Sequence, residues 1–393
     1  MRTNVSLILF YILLSFTSCI KEVIPHLEKY DELLVVEGAI TDEPGPHTVK
    51  LSIAGNLQKL SPYKPYSKCS VSIVDNFGNT EALTEVSEGV YRTDSLGHQG
   101  VVGRTYKVKI LTPGGEVYES HGEVLKQGVA IDTVYAIHEQ KNGRNGYQFY
   151  LNSENSNADT NYFFWSLEST YKFLTTYNIN FYYEGGGVIK KFPKPDSLRT
   201  CFRTEKIKEI FTLNTAEQNQ HQVIRFPLNY EDTYTKALSI RYCLTINQYT
   251  LSKRAYTFWN TLRKMNLNQG SLFAQQPYQV KGNIVNVNTP HRPALGYFMV
   301  AGVSQKRIFV DHLPYNLYHI PECTYMRHNV GNDHILNRVT RSAHPRPIYI
   351  APDSTIPLSG EIRWGVMVGV EIDEECVDCR VTGYLQKPDF WID

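Results

Sequence analysis

No charge surplus marks this chain: Lys+Arg number 40 against Asp+Glu 39, a formal net charge of +1. Nucleic-acid binders draw their affinity from a basic surface, so no nucleic-acid partner is expected. Met (5) and Trp (4) are scarce beside 27 Tyr and 17 Phe, the balance of a strand-rich chain rather than a helical bundle. Catalytic signatures are missing as well. There is no Gly-x-Ser-x-Gly elbow, no His-Glu-x-x-His and no phosphate loop, which removes the motif-bearing hydrolase, zinc-protease and nucleotidase classes. What is present is core material: 42% of the 393 residues are hydrophobic and 12% aromatic, enough to bury a sizeable interior.

The apolar run from Val5 to Phe16 follows Arg2 and is broken only by Ser6, Tyr11 and Ser15. It fits the h-region of a signal peptide and is too short to span a bilayer comfortably. Phe16-Thr17-Ser18-Cys19 then resembles the lipobox of bacterial lipoproteins, with Phe16 where Leu is usual. That resemblance implies cleavage after residue 18, a diacylglycerol on the Cys19 thiol and an acylated new N-terminus. Two or more acyl chains hold a protein stably on a membrane where one does not. Lys21-Glu22 opens a charged tether, a faint form of the stretch that sends some lipoproteins to the cell surface. An outer-membrane anchor is therefore expected, the surface favoured over the periplasmic face.

From Leu33 onward the pattern has period two. Val49, Leu51 and Ile53 alternate with polar neighbours, as do Tyr106, Val108 and Ile110, the mark of strands with one wet face. Turn signals at Asp42–Pro46, Asn76–Asn79, Glu88-Gly89 and Pro113–Gly115 separate the runs. Residues 33–127 thus read as an immunoglobulin-like β-sandwich, after a signal peptide (1–18) and a lipidated Cys with its tether (19–32). Residues 128–393 read as a larger β-rich domain, so the fold class is mainly β with one amphipathic helix. Its strands fall at Tyr147–Leu151, Tyr162–Leu167, Ser239–Ile246, Tyr278–Val285, Leu295–Val303 and Arg363–Ile372. Its helix is capped by Ser252, with Ala255, Phe258, Trp259, Leu262 and Met265 on one face.

Seven cysteines in an oxidising compartment leave six once Cys19 is set aside. Cys376-Val377-Asp378-Cys379 has zinc-knuckle spacing, but the other cysteines are isolated, so no second close pair completes such a site. Arg380–Tyr384 reads as turn and strand, without the helix start that would activate a redox thiol. Cys69 and Cys243 lie in or beside alternating strands and suit buried thiols. The expected bridging set is Cys201, Cys323, Cys376 and Cys379, with its connectivity open. His312, His319, His328, His334 and His344 lack the i, i+3 to i+5 spacing of ligands and read as loop histidines; no metal or cofactor is expected. Glu374-Glu375 and Glu231-Asp232 are adjacent carboxylates, whereas a glycosidase needs its pair facing across a substrate. Phe181-Tyr182-Tyr183 before Gly185-Gly186-Gly187 reads as an aromatic loop and a candidate binding contact.

Several segments together resemble a known family. They are Leu34-Val35-Val36-Glu37-Gly38 with Ile40-Thr41-Asp42; Gln248-Tyr249 before the Trp259 helix; Gly282-Asn283-Ile284 with Leu295-Gly296-Tyr297-Phe298; and Cys376-Val377-Asp378-Cys379 with Lys387-Pro388-Asp389-Phe390-Trp391. In this order they resemble the Bacteroidota lipoproteins grouped as domain of unknown function 4249. The resemblance implies an outer-membrane lipoprotein, often encoded beside TonB-dependent transporters, and supplies no catalytic residues. The expectation is a lipid-anchored protein with a non-catalytic binding or accessory role, a TonB-dependent transporter being its partner in nutrient capture. The alternatives are an envelope hydrolase acting on carbohydrate or peptide through a scattered site, and an adhesin.

Overall fold

The computed structural model describes residues 32–55, 64–94, 99–154, 161–179, 181–185, 188–218, 222–268, 280–320, 323, 325–329, 348–352, 368–372 and 374–393. The first strands are β1 (Glu32–Thr41), β2 (Thr48–Gly55), β3 (Lys64–Pro65), β4 (Ser70–Asp75), β5 (Thr80–Ser87), β6 (Val90–Arg92), β7 (Thr105–Leu111), β8 (Val117–Ser120) and β9 (Glu123–Val124). There follow β10 (Thr133–Lys141), β11 (Arg144–Glu154), β12 (Tyr162–Leu174), β13 (Phe181–Gly185), β14 (Val188–Lys191), β15 (Thr200–Lys206), β16 (Phe211–Asn214), β17 (Gln222–Asp232) and β18 (Arg241–Thr250). Helix α1 (Lys253–Asn268) precedes β19 (Ile284–Asn286), β20 (Leu295–Asp311), β21 (Tyr325–Asn329), β22 (Ile348–Pro352) and β23 (Val368–Ile372). The chain is mainly β, as its alternation predicts.

Strands β1-β2-β6-β5 lie side by side, and β4-β7-β8 make the facing layer, with β5 pairing both β6 and β4. This is the ABED/CFG strand arrangement of immunoglobulin-like sandwiches. Leu34, Val36, Val49 and Leu51 from one layer pack with Val71, Ile73, Val108 and Ile110 from the other in a single buried cluster. The hairpin read from Tyr106–Leu111 and Glu116–Ser120 forms, with Leu111 opposite Val117.

The far half of the chain completes this sandwich. Strand β19 pairs with β8, and β20 runs parallel to β1 from Val35↔Leu295 to Thr41↔Ala301. The near-continuous apolar run of β20 follows from burial on both faces. Phe298 and Val300 enter the sandwich core, while Tyr297, Met299 and Ala301 meet α1. That helix starts where expected: the Ser252 hydroxyl accepts from the Ala255 N–H at 3.0 Å and so satisfies one of the orphan donors of the first turn. Trp259 then stacks on Phe164 with 4.6 Å between ring centroids.

Strand β20 is 17 residues long, and its second half pairs with β18 in a second layer ordered β15-β12-β18-β20. A three-stranded sheet, β10-β11-β17, packs across that layer. Phe149 and Leu151 from one side and Trp165, Leu167, Leu244 and Ile246 from the other fill the space between. Where the two bodies meet, Asp42 accepts from the Val303 N–H at 2.7 Å and from the Gly128 N–H at 3.3 Å. Gly302 is required there, since a Cβ would stand 2.1 Å from the Gly128 nitrogen.

Candidate functional site

The four cysteines read as a bridging set are joined Cys201–Cys379 and Cys323–Cys376. Neither member of the Cys376-x-x-Cys379 motif bonds to the other. Cys69 and Cys243 remain thiols, half-buried and buried respectively, and burial pushes both thiols up in pKa. After Cys379 comes a short 3-10 turn (Cys379–Val381), capped by the Asp378 carboxylate accepting from the Arg380 N–H at 2.9 Å; Tyr384 then bridges Phe202.

Phe181, Tyr182 and Tyr183 do not form a loop. They belong to β13, paired with β14 on one side and β22 on the other in a five-stranded sheet ordered β14-β13-β22-β23-β21. Aromatic residues favour a pleated surface, and here that preference outweighs the glycines that follow, of which Gly186 and Gly187 lie outside the described residues. Cys19 and the signal segment, His334 and His344 also lie outside them. His312 and His319 are exposed, each stacked on a tyrosine, Tyr315 and Tyr234 respectively. Among the described residues no group of three or more His, Cys, Asp or Glu is placed to hold a metal ion, and no helix is long and apolar enough to cross a membrane.

The residues that carried the family resemblance are structural. Gln248 is fully buried, accepting from the Trp165 indole at 2.9 Å and donating to the Val129 carbonyl at 2.8 Å. Asn283, also fully buried, exchanges two hydrogen bonds with the Phe298 backbone at 2.8 and 2.9 Å. The Glu123 carboxylate accepts from Tyr297 and from Ser252, and burial raises its pKa. These groups knit the two bodies and the helix together, and their polar atoms are used up in doing so.

Two places are differently built. The first is the outer face of β10-β11-β17. Tyr135 and Tyr150, opposite each other across β10 and β11, stack with ring centroids 5.6 Å apart. Arg225 lies 4.9 Å over the Tyr150 ring, and the Tyr150 hydroxyl donates to Glu139 at 2.7 Å. Further along, Lys141 sits 5.0 Å over Tyr230. Beside them Ile224 is 66% exposed, an apolar side chain the fold leaves in water. The result is a tyrosine strip on rigid strands, edged by mixed charge. Sequence reading missed it because Tyr135, Tyr150 and Tyr230 are far apart in the chain and converge only through register.

The second lies at one inner end of the same sandwich. Glu231 stands opposite Tyr147 in β11, and Asn229, two residues earlier, donates to the Tyr242 hydroxyl of the facing layer at 3.3 Å. Tyr242 pairs with Tyr171, and Tyr171 with Arg203, along one row of β18, β12 and β15. Burial is the main reason that Glu231 rises to about 7; Asp232 and Glu205 push the same way, while Thr235 and Tyr242 pull it back by hydrogen bonding. Burial also lifts Tyr171 to about 12 and lowers Lys236. The Asn229 side-chain oxygen is buried without a donor. The only hint in the sequence was the Glu231-Asp232 adjacency, which 39 acidic residues supply by chance.

Comparison with known proteins adds a family and little else. Residues 20–307 match the family described as Domain of unknown function (DUF4249). No curated protein matches the chain. Among solved structures, a DUF4785 family protein from Legionella pneumophila subsp. pneumophila str. Philadelphia 1 is similar at 12% identity with a TM-score of 0.16, over 54% of this chain. The chain spans about half of that protein's length (51%).

Proposed function

We propose, for a chain that belongs to the family described as Domain of unknown function (DUF4249), that it is a lipid-anchored protein of the outer membrane with a non-catalytic binding role, working beside a TonB-dependent transporter in nutrient capture. The observation that carries this reading is the tyrosine strip of Tyr135 and Tyr150 with Arg225 beside it. Tyrosines on strands offer large contact area at little entropic cost, and mixed charge at the rim steers and orients a partner.

The position of that strip supports the same reading. A tether from Cys19 enters β1 at Glu32, the end of β1 that lies toward Leu295 rather than toward Asp311. At roughly 3.3 Å per residue, β20 carries the chain about 50 Å from there into the second sandwich. In this arrangement the first sandwich stands between such a tether and the sandwich that carries the tyrosine strip. The bridges Cys201–Cys379 and Cys323–Cys376 suit an oxidising compartment.

The test is crosslinking in intact cells, followed by identification of the trapped partner. Wild type should trap a TonB-dependent transporter, and Tyr135→Ala with Tyr150→Ala should weaken that capture while the protein stays folded and acylated. Cys19→Ala should abolish acyl labelling. Unmodified Cys19 in the mature protein sinks the anchor, and unchanged nutrient uptake on deletion sinks the accessory role.

A further inference from the structure

The polar end of the second sandwich holds acceptors that its own chain does not satisfy. Asn229 is 5% exposed, and its amide has donated one hydrogen to Tyr242 while its oxygen has no donor. A buried carbonyl without a partner carries an uncompensated desolvation penalty, so such an atom calls for an occupant. Glu231, two residues on along the same strand, accepts from the Thr235 hydroxyl at 3.2 Å and from the Tyr242 hydroxyl, and among the described residues has no countercharge. No Lys, Arg or His forms an ion pair with it among the described residues; Arg144 is taken by Asp232 at 3.0 Å instead. Lys236, the nearest half-buried ammonium on this loop, feels Glu375 rather than Glu231.

Phe149 packs against Tyr242 with 5.5 Å between ring centroids, and Tyr171 stands beside Tyr242 in register. The floor of the niche is therefore aromatic and its unfilled groups are oxygen acceptors. An ammonium group matches both features. It carries three N–H donors and no acceptor, and aromatic faces attract it further.

We propose that Asn229, Glu231 and Tyr242 form a binding site for the primary ammonium group of a small ligand. The Glu231 carboxylate supplies the countercharge, the Asn229 oxygen takes a further N–H, and the Tyr242 and Tyr171 rings wall the site. Arg203 and Glu205 act electrostatically on Tyr171 and Glu375 on Lys236, so the surroundings carry mixed charge. This site is separate from the outer tyrosine strip, on the opposite face of β17, and does not depend on it.

Protein labelled with 13C at the glutamate side-chain carboxyl tests this by NMR titration, with methylammonium as the probe and potassium and tetramethylammonium at equal ionic strength as controls. In wild type one glutamate should titrate near neutrality, and the near-isosteric Glu231→Gln should remove that transition. Methylammonium should lower its midpoint saturably by a pH unit or more, while neither control does. Asn229→Leu should keep the near-neutral transition and weaken the methylammonium effect at least tenfold. An equal shift with potassium means a general cation effect and overturns the proposal. So does the absence of any saturable shift, or of any glutamate titrating between pH 6 and 8, in wild type alone.

Discussion

The indole N–H of Trp165 donates to the Gln248 side-chain oxygen at 2.9 Å, between two residues that are both fully buried. The same Gln248 amide donates to the Val129 carbonyl at 2.8 Å, where the chain passes from the first sandwich to the second. Gln248→Leu fills much the same volume and strands both partners. With about 1–3 kcal/mol for each buried group left unpaired, the variant should lose about 2–6 kcal/mol, read as a lower urea midpoint. A loss below half a kcal/mol would show that water replaces the amide.

Gly302 and Gly296 are required where backbones cross. A Cβ on Gly302 would lie 2.1 Å from the Gly128 nitrogen, and Gly296 has φ +86 with the Val36 carbonyl 2.0 Å from the Cβ position. The change to Ala forces backbone apart where β20 crosses residues 126–128 for Gly302, and at the β1–β20 seam for Gly296. Overpacking of this kind costs about 1–3 kcal/mol and occasionally more, so both variants should melt lower than Gly78→Ala or Gly115→Ala, where the space is open. Those two controls share the positive φ of Gly296, so for Gly296→Ala the excess loss isolates the crossing.

The bridges Cys201–Cys379 and Cys323–Cys376 close separations of 178 and 53 residues. Non-reducing peptide mapping should recover these two pairs and leave Cys69 and Cys243 alkylatable after unfolding. Removing each bridge as a Ser pair should cost about 2–4 kcal/mol. A Cys376–Cys379 peptide would contradict the connectivity.

Glu231 gives the fold a pH dependence of definite sign. Burial raises its pKa from 4.5 to about 7, so the folded state holds the proton more tightly than the unfolded chain. Its contribution is full below about 4.5 and is lost as the pH rises through about 7. The shift corresponds to about 3 kcal/mol at most. Glu231→Gln should therefore gain stability relative to wild type between pH 5 and pH 8, measured by urea unfolding at both. An unchanged difference across that range would place the carboxyl in water.

Local pattern explains what the sequence could reveal. The alternation in Val49–Ile53 and Tyr106–Ile110, and the helical face behind Ser252, depend on near neighbours and each yields the element found. Cysteine spacing identifies the four bridging residues but not their partners, because pairing is a matter of three-dimensional approach. The parallel contact of β1 with β20 joins residues some 260 positions apart, and no local signal encodes it. Phe181–Tyr183, read as a loop, is a strand: aromatics favour a strand and glycines a loop, and the decision rests with pairing to β22 far along the chain. At the polar end, Glu231 stood out in the sequence only as one of two adjacent carboxylates and Asn229 gave no signal, because it takes β17 to turn both toward Tyr242.

The seam between β1 and β20 also decides how the molecule bears force. Force applied to the chain ahead of β1 acts at its Glu32 end, and force applied to the second sandwich acts on the far half of β20. Because the two strands run parallel, with Val35 beside Leu295 and Thr41 beside Ala301, those opposed pulls slide one strand along the other. The rungs between them are then loaded together, in shear, instead of being peeled one after another. Such a joint yields only when the whole ladder gives way, so a tug at the Glu32 end reaches the second sandwich with its strands still in register.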